Sequence, residues 1–539
     1  MKIKFKLSAL SCSALVAGFL MLQACSEDFL DRQPESEFTA NNFYTTAAEA
    51  QAALTAAYDP LQWELTTLNS WEFGDVVGGD SDKGSTDDQD YIQISQLANF
   101  TARGDNSELN FTWDQAYDGV YRANLVLDRV PAIEMDETDK NQILGQAKFL
   151  RGLYYYFLVR TFGRVPNIIH EIKPGEDVYV SRAATIGENW AQIETDLTEA
   201  IAVLPATWSA ENFGRATKGA AQALLARVAL YQSTPGSVYF TSPKWQQVAD
   251  LTDAIMASGT YILEPNYQAM FTTAMEQNKE YIFSVQAVGG TTGWNNDNEG
   301  QALNQWLAPR TTDFSGWGYS TPFGPNTPAN YGGNPLVKVN NIVEAYGTCD
   351  PRLKANILGT DPNDELYGIK YNYQKDSDNP GQYKLSPWSR TGYNIRKYMI
   401  PESELGAGGA NAPLDVPLMR YADVVLMNAE AHNELGNAGK ASTSLNMIRA
   451  RARNMTPGSS CPADITTTNQ GELQDAIINE RRLELSFEGL RFFDLVRTNR
   501  AEAFLNAMGR PFVKGINDLF PIPQGEMNRN PQLEPNPWQ

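Results

Sequence analysis

A mostly helical protein with one long loop-rich side is what the sequence predicts, and three observations predict it. Over 141–162, Ile143, Ala147, Leu150, Tyr154, Phe157, Leu158 and Thr161 recur at steps of three and four, marking one buried helical face. Tyr421 to Leu435 and Ala441 to Arg453, divided by Gly436-Asn437, make a helical hairpin of about 33 residues, which is a tetratricopeptide-like spacing. Between 286 and 420 that periodicity stops, and Gly, Pro, Asn, Trp and Tyr dominate instead.

The chain opens with Lys2, Lys4 and Lys6, then an apolar run from Leu7 to Leu22, shorter than the ~20 residues that span a bilayer as a helix. Leu22-Gln23-Ala24-Cys25 follows. A small residue before cysteine is what a lipoprotein signal peptidase needs, so residues 1–24 read as a lipoprotein signal peptide and Cys25 as the lipidated first residue of the mature chain. An uncleaved anchor with an incidental cysteine is the competing reading. Without residues 1–24, which hold three lysines and no acids, the formal charge moves from −21 to −24. A surface of that sign repels phosphate backbones, so nucleic acid is not an expected partner. Membrane contact is left to the lipid, whose two or three acyl chains anchor firmly where one would not.

Residues 25–44 read as a tether that docks through Phe29, Leu30, Phe38 and Phe43, and 45–539 as a single body. Helical hairpins are expected at about 45–64, 114–162, 190–257 and 421–453. Gly163 and Pro166 end the helix over 141–162. The segment 215–232 is rich in Ala and Leu, which lets its backbone approach a neighbour closely, and a partner helix is expected from Trp245 to Met256. Of four cysteines, Cys12 lies in the signal, and Cys349 and Cys461 remain besides Cys25. An oxidising compartment favours a bridge between them; buried free thiols serve equally well.

Two loop regions are where a ligand is expected. Asn69 to Gln89 holds Trp71, Phe73 and aspartates including Asp75 and Asp80; the second region is 286–420. The aspartates invite a structural calcium, which takes oxygen ligands, yet the spacing is not that of an EF-hand loop and a solvated acidic loop is the default. Trp71, Trp294, Trp306, Trp317, Tyr319 and Trp388 all stand in loop-like contexts. Flat rings stack on the apolar faces of sugars while Asp, Asn, Gln and Arg bond the hydroxyls. Singly, each ring is better explained by packing that pins a long loop; the cluster carries the argument. The ligand-binding candidates are therefore Trp71, Trp294, Trp317 and Tyr319 as platforms, with Asp75, Asp80, Asn295 and Asn296 reading hydroxyls.

Catalysis finds little material. There are two histidines, His170 and His432, and no HExxH, GxSxG or Walker-type motif. Glu480, Glu484 and Glu488 fall on one helical face and would suit a carboxylate-pair glycoside hydrolase. Arg481, Arg482, Arg491 and Arg497 surround them, however, and would keep those carboxylates ionised, so an ion-pair network orienting the helix is the preferred reading and no catalytic residue is assigned.

Arg420-Tyr421-Ala422-Asp423 through Ala431, Leu445 to Ala452, the block Glu480 to Arg497, and Phe520-Pro521-Ile522-Pro523 with Asn530-Pro531 and Asn536-Pro537 resemble the SusD/RagB family of Bacteroidetes outer-membrane nutrient-binding lipoproteins. Cys25 to Asp31, Arg151 to Pro166 and Arg215 to Tyr231 agree, and Ser26-Glu27-Asp28 resembles a surface-export signal of such lipoproteins. The resemblance implies a SusD-like fold: tetratricopeptide-like hairpins on one side and a variable, loop-rich ligand side on the other. It implies a cell-surface lipoprotein that captures glycans, or in some members peptides, and delivers them to a SusC-like TonB-dependent transporter. It also implies a structural role for Glu480 to Arg497. It carries no binding residues onto this chain.

Overall fold

A computed structural model describes residues 43–63, 70–85, 89–289, 300–310, 316–328, 330–331, 334–335, 339–375, 378–379, 381–385, 389–404 and 412–538. The signal, Cys25 and most of the tether therefore lie outside the described residues.

The scaffold is a stack of helices, each packed on its sequence neighbour. Helix α1 (Ala47–Tyr58) starts in a capping box: the Thr46 hydroxyl accepts from the Glu49 amide at 3.3 Å while the Glu49 carboxylate accepts from the Thr46 amide at 2.9 Å. After the seven-residue α2 (Ile92–Ala98), the long pair α3 (Ser107–Arg129) and α4 (Glu137–Phe162) forms a hairpin against α1. Asp136 caps α4 by accepting from the Thr138 and Asp139 amides at 2.8 and 3.1 Å, and Gly163, at φ 72°, ends it. The stack continues through α5 (Ile186–Val203), α6 (Lys218–Gln232) and α7 (Trp245–Ala257), with α5 on α4, α6 on α5 and α7 on α6.

Helix α4 differs from the single-faced helix the spacing suggested. From Phe149 to Phe162 it is buried on every side, because α3, α5 and α6 all contact it. Its buried Arg151 is paired: it makes a two-pronged bond to Asp196 of α5 at 2.6 and 2.8 Å. Gly119 of α3 makes the close approach feasible, since a Cβ there would stand 2.4 Å from the Tyr154 ring.

The chain leaves the stack through the strand Tyr281–Val285 and returns through Val416–Arg420, which pairs with it antiparallel. Between these strands lie α8 (Leu303–Leu307), α9 (Ile342–Tyr346), α10 (Arg352–Asn356) and several two- or three-residue strand pairs. Helices α11 (Tyr421–Glu434), α12 (Ala438–Asn454) and α13 (Gln470–Glu484) then resume the stack, α11 packing on α7, and α14 (Arg491–Arg497), α15 (Ala501–Ala507) and α16 (Gln524–Arg529) finish it. The loop-bearing side has its own apolar core, in which Trp71, Ile94, Tyr267, Phe271, Ile357 and Tyr398 meet Phe487.

Cys349 and Cys461 are bonded, with Cα atoms 5.9 Å apart, and so join the excursion to the segment after α12. A bridge closing a loop of this length removes much of the freedom of the unfolded chain. Replacing both cysteines by serine is expected to lower stability by about 3–5 kcal/mol, read as a reduced urea midpoint by tryptophan fluorescence; an unchanged midpoint would mean the bridge only joins parts already fixed by packing.

Candidate functional site

Helix α8 spans only five residues, too few to persist alone in water. Its support is the extended chain beside it: the Trp317 and Tyr319 amides donate to the carbonyls of Gln305 and Trp306, each at 2.9 Å. Gly318, at φ 61°, permits the turn between them, and its carbonyl accepts from the Ser85 amide at 2.9 Å. That bond and the antiparallel pairing of Ser81–Asp82 with Thr321–Pro322 bring the two sequence-distant loop regions together.

Among the described residues, four rings gather at this junction. Trp317 stands edge-on to Trp306 with centroids 4.5 Å apart, and Tyr319 lies 5.3 Å from Trp306 and 5.6 Å from Trp317. Tyr91 adds the fourth ring, 5.8 Å from Trp306 and 5.2 Å from Tyr319. Trp306 and Tyr319 are buried, whereas Trp317 and Tyr91 are half-buried. The inner pair therefore supports, and the outer pair reaches water.

Charged groups border the rings. Arg310 donates to the Ser85 hydroxyl at 3.0 Å and to the Asp90 carboxylate at 2.6 Å, and the Arg310 and Asp90 side chains remain 42% and 28% exposed. Partial burial would raise the Asp90 carboxyl, but the bonds from Ser85 and Arg310 outweigh it and hold the group below its ordinary range. A half-exposed ring beside an ionised carboxylate and a guanidinium can stack on an apolar ring face while pairing with hydroxyls around its edge.

This arrangement corrects the sequence expectation in particulars. Trp71 is 1% exposed inside the second core, so no ligand can stack on it. Asp75 is likewise enclosed: one carboxylate oxygen accepts from the Gly489 amide at 3.2 Å, and burial together with neighbouring Asp80 pushes the group well up. Asp80 is buried as well, and its charge is met by Arg482 at 2.6 Å and Arg491 at 3.8 Å. Tyr319 is at the right place but is 8% exposed and acts behind Trp317. Trp294, Asn295, Asn296 and Trp388 lie outside the described residues, as does Cys25. Tyr91, Asp90, Arg310 and Ser85 were missed; only their position in or beside aromatic-rich loops signalled them.

Of the loop's aspartates, Asp87 and Asp88 lie outside the described residues. Besides Asp75 and Asp80, Asp82 faces Arg390 at 3.3 Å, and among the described residues no group of three or more Asp, Glu, His or Cys side chains gathers as metal ligands. The three glutamates at four-residue steps are equally committed. Glu480 pairs with Arg352 at 2.7 Å and with Arg449; Glu484 meets Arg352, Arg420 and Arg451; Glu488 meets Arg420 at 2.7 Å and Lys397. All three are buried at or near zero exposure. Burial alone would raise Glu484, yet Arg451, Arg420 and Arg352 more than offset it and hold the carboxyl low, the opposite of what a catalytic acid requires.

Known proteins resemble the chain along nearly its whole length. Residues 279–538 match the family described as the SusD family, and residues 28–230 match one described as starch-binding, associating with the outer membrane. The SusD-like protein P2 of Formosa agariphila is 27% identical over 539 residues, covering 96% of this chain and 97% of that one. Among solved structures, a laminarin-binding SusD-like protein is 29% identical with a TM-score of 0.71, covering 92% of this chain and 100% of its own. Surface glycan-binding protein A from Bacteroides thetaiotaomicron, solved with laminarihexaose, superimposes with a TM-score of 0.73 at 23% identity, covering 92% of this chain and 100% of its own.

Two measurements follow from the geometry. Trp71→Ala opens a cavity in the second core and is expected to cost about 3–5 kcal/mol of stability, whereas Trp317→Ala leaves the urea midpoint nearly unchanged; equal effects would put both rings in the same class. Glu484→Gln takes one buried carboxylate away from Arg352, Arg420 and Arg451 and is expected to cost about 3–5 kcal/mol at neutral pH. Because the native Glu484 carboxyl is lower than its ordinary value of about 4.3, its stabilisation is complete above that value and lost as the pH falls through the depressed one. The gap between parent and variant should therefore narrow from pH 5 downwards, and a gap that stays constant with pH would refute the assignment.

Proposed function

Because the chain belongs to the SusD/RagB family, we propose that it is a lipid-anchored outer-membrane protein, exposed at the cell surface, that binds glycans without hydrolysing them and delivers them to a SusC-like TonB-dependent transporter. The observation that carries the glycan reading is the half-buried Trp317 ring, braced edge-on by Trp306 and 5.6 Å from Tyr319, which the Arg310–Asp90 pair adjoins. The laminarin-binding structure, similar over its full length, supports a saccharide as the ligand class. So does the starch-binding description of the match to residues 28–230.

Anchoring falls to the lipid on Cys25. Among the described residues no helix is long and apolar enough to cross a membrane. The Cys349–Cys461 bridge supports a compartment outside the reducing cytoplasm, since such bonds are rare inside it. Non-catalytic binding is supported by the arginine-locked glutamates, of which Glu484 and Glu488 are held below the ordinary carboxylate range. Delivery to a transporter rests on family membership.

The test is a titration of the mature chain with laminarin and starch oligosaccharides, a wider glycan panel and mixed oligopeptides, following tryptophan fluorescence and heat. One glycan class should bind saturably, and Trp317→Ala should weaken it at least tenfold, or ~1.4 kcal/mol, with kindred losses for Arg310→Ala. Binding of peptides alone, or glycan binding indifferent to Trp317, defeats the proposal.

A further inference from the structure

Arg160 of α4 is a buried cation without a counter-ion among the described residues. It is 6% exposed, its guanidinium makes no ion pair, and its Nε–H makes no hydrogen bond. Aromatic rings border it instead: its central carbon lies 4.4 Å from the ring centre of Phe493, 4.8 Å from that of Phe157 and 5.4 Å from that of Tyr156. Ring faces attract a cation but do not replace acceptors for the N–H donors of a guanidinium. The carboxylates of the surrounding segments are already engaged. Asp423 is held by Arg227 and Arg481, and Asp494 by Arg481 and Arg497. Asp518 accepts from the Gly515 amide and lies in the field of Lys514.

Arg160 lines a cavity of about 30 Å³ where α4 and α6 meet the strand Val416–Arg420 and the second core. Trp71 lines it from the other side of that boundary, and its buried indole N–H is likewise without an acceptor. Buried donors left in this state are rare and point to a guest. About 10–15 Å³ takes one water, so the space suits something of one or two heavy atoms and has no room for sulfate or phosphate. The other charges on its wall are neutralised in place: Arg227 bonds Asp423 at 2.8 Å, and Glu488 accepts from Arg420 at 2.7 and 2.8 Å and from Lys397. A water would satisfy the two donors yet leave the charge of Arg160 uncompensated, which is costly out of reach of solvent. A monovalent anion meets both needs.

We propose that this cavity binds a halide, chloride in ordinary surroundings, held by N–H groups of Arg160 and Trp71. Arg160 belongs to the helical stack and Trp71 to the second core. The ion therefore fastens the loop-bearing side to the scaffold at a point where no protein carboxylate does.

The test compares the full mature chain with Arg160→Met and Trp71→Phe, exchanging gluconate for chloride at constant ionic strength and reading urea unfolding by circular dichroism. An ion bound only by the folded state raises the folded-to-unfolded ratio in proportion to its concentration above the dissociation constant, so the parent ratio should rise about tenfold per tenfold chloride. Trp71→Phe, which keeps a ring and loses one donor, should need several-fold more chloride, and Arg160→Met should show no dependence. Parent crystals grown in bromide should carry an anomalous peak beside Arg160 and Trp71. Stability indifferent to chloride, or a cavity that takes water and no bromide, overturns the proposal. Chloride dependence that survives Arg160→Met, or bromide at the surface alone, means an adventitious ion only and overturns it as well. If Arg160→Met does not fold, Trp71→Phe and the bromide crystals decide.

Discussion

Three glutamates at four-residue steps, sunk out of water and gripped by arginines from other segments, fix the position of everything on the loop-bearing side. Each buried charge costs several kcal/mol unless it is met in good geometry. The network meets them by drawing Arg420 from the end of a strand, Arg451 from α12 and Arg352 from α10 onto Glu484. Lys397 from deep in the excursion lands on Glu488, and Glu280 from the departing strand answers Arg420 and Arg451. A shift of any one segment would leave an ion unpaired in a place water cannot reach. Apolar packing accepts small slippage; a set of interlocked ion pairs accepts much less, and this gives short elements such as α10 a fixed register.

Rigidity established there is passed to the aromatic junction. Asp80 is held by Arg482 of α13, and Ser81–Asp82, immediately after it, pairs with Thr321–Pro322, two residues beyond Tyr319. The ring cluster is thus mounted on backbone tied to the network rather than on a free loop. Binding surfaces built this way lose less freedom when a ligand arrives.

The helical scaffold was legible because it obeys a period: the helix read over 141–162 runs from Glu137 to Phe162, and the pair read over 421–453 is α11 with α12. What the period could not say was how many sides each helix buries, and α4 is enclosed all round because α1, α3, α5 and α6 converge on it. The ion-pair role of Glu480, Glu484 and Glu488 was legible from the density of charge around them, but their partners were not: Arg481, Arg482, Arg491 and Arg497 turn to Asp423, Asp494, Asp80 and Glu430, and cations from other segments answer the glutamates. The ligand side was only half legible. Trp71 and Trp317 look alike in sequence, both flanked by small and polar residues, yet one fills a core and the other reaches its surface. That difference is made by chain arriving from hundreds of residues away. Asp75 and Asp80 misled for the same reason: an acidic loop reads as solvated until distant chain covers it, here with Arg482 and Arg491 on Asp80 and the Gly489 amide on Asp75. Nor did composition decide between free thiols and a bridge for Cys349 and Cys461, which proximity in the fold does.

The antiparallel pair Tyr281–Val285 and Val416–Arg420 has a meaning beyond its few bonds. It brings the two ends of the loop-rich excursion side by side, so the helices before and after it are joined as if by a hairpin whatever lies between. Doubling the length of a flexible closed loop adds only ~0.6 kcal/mol of closure cost. Between these two strands the architecture therefore works as a socket: loops that keep the anchors Arg352, Lys397 and Cys349 can differ in their rings and charges while the stack beneath keeps its shape. Changing the ligand of such a protein becomes a matter of exchanging these loops together with the Ser85 to Tyr91 edge they meet.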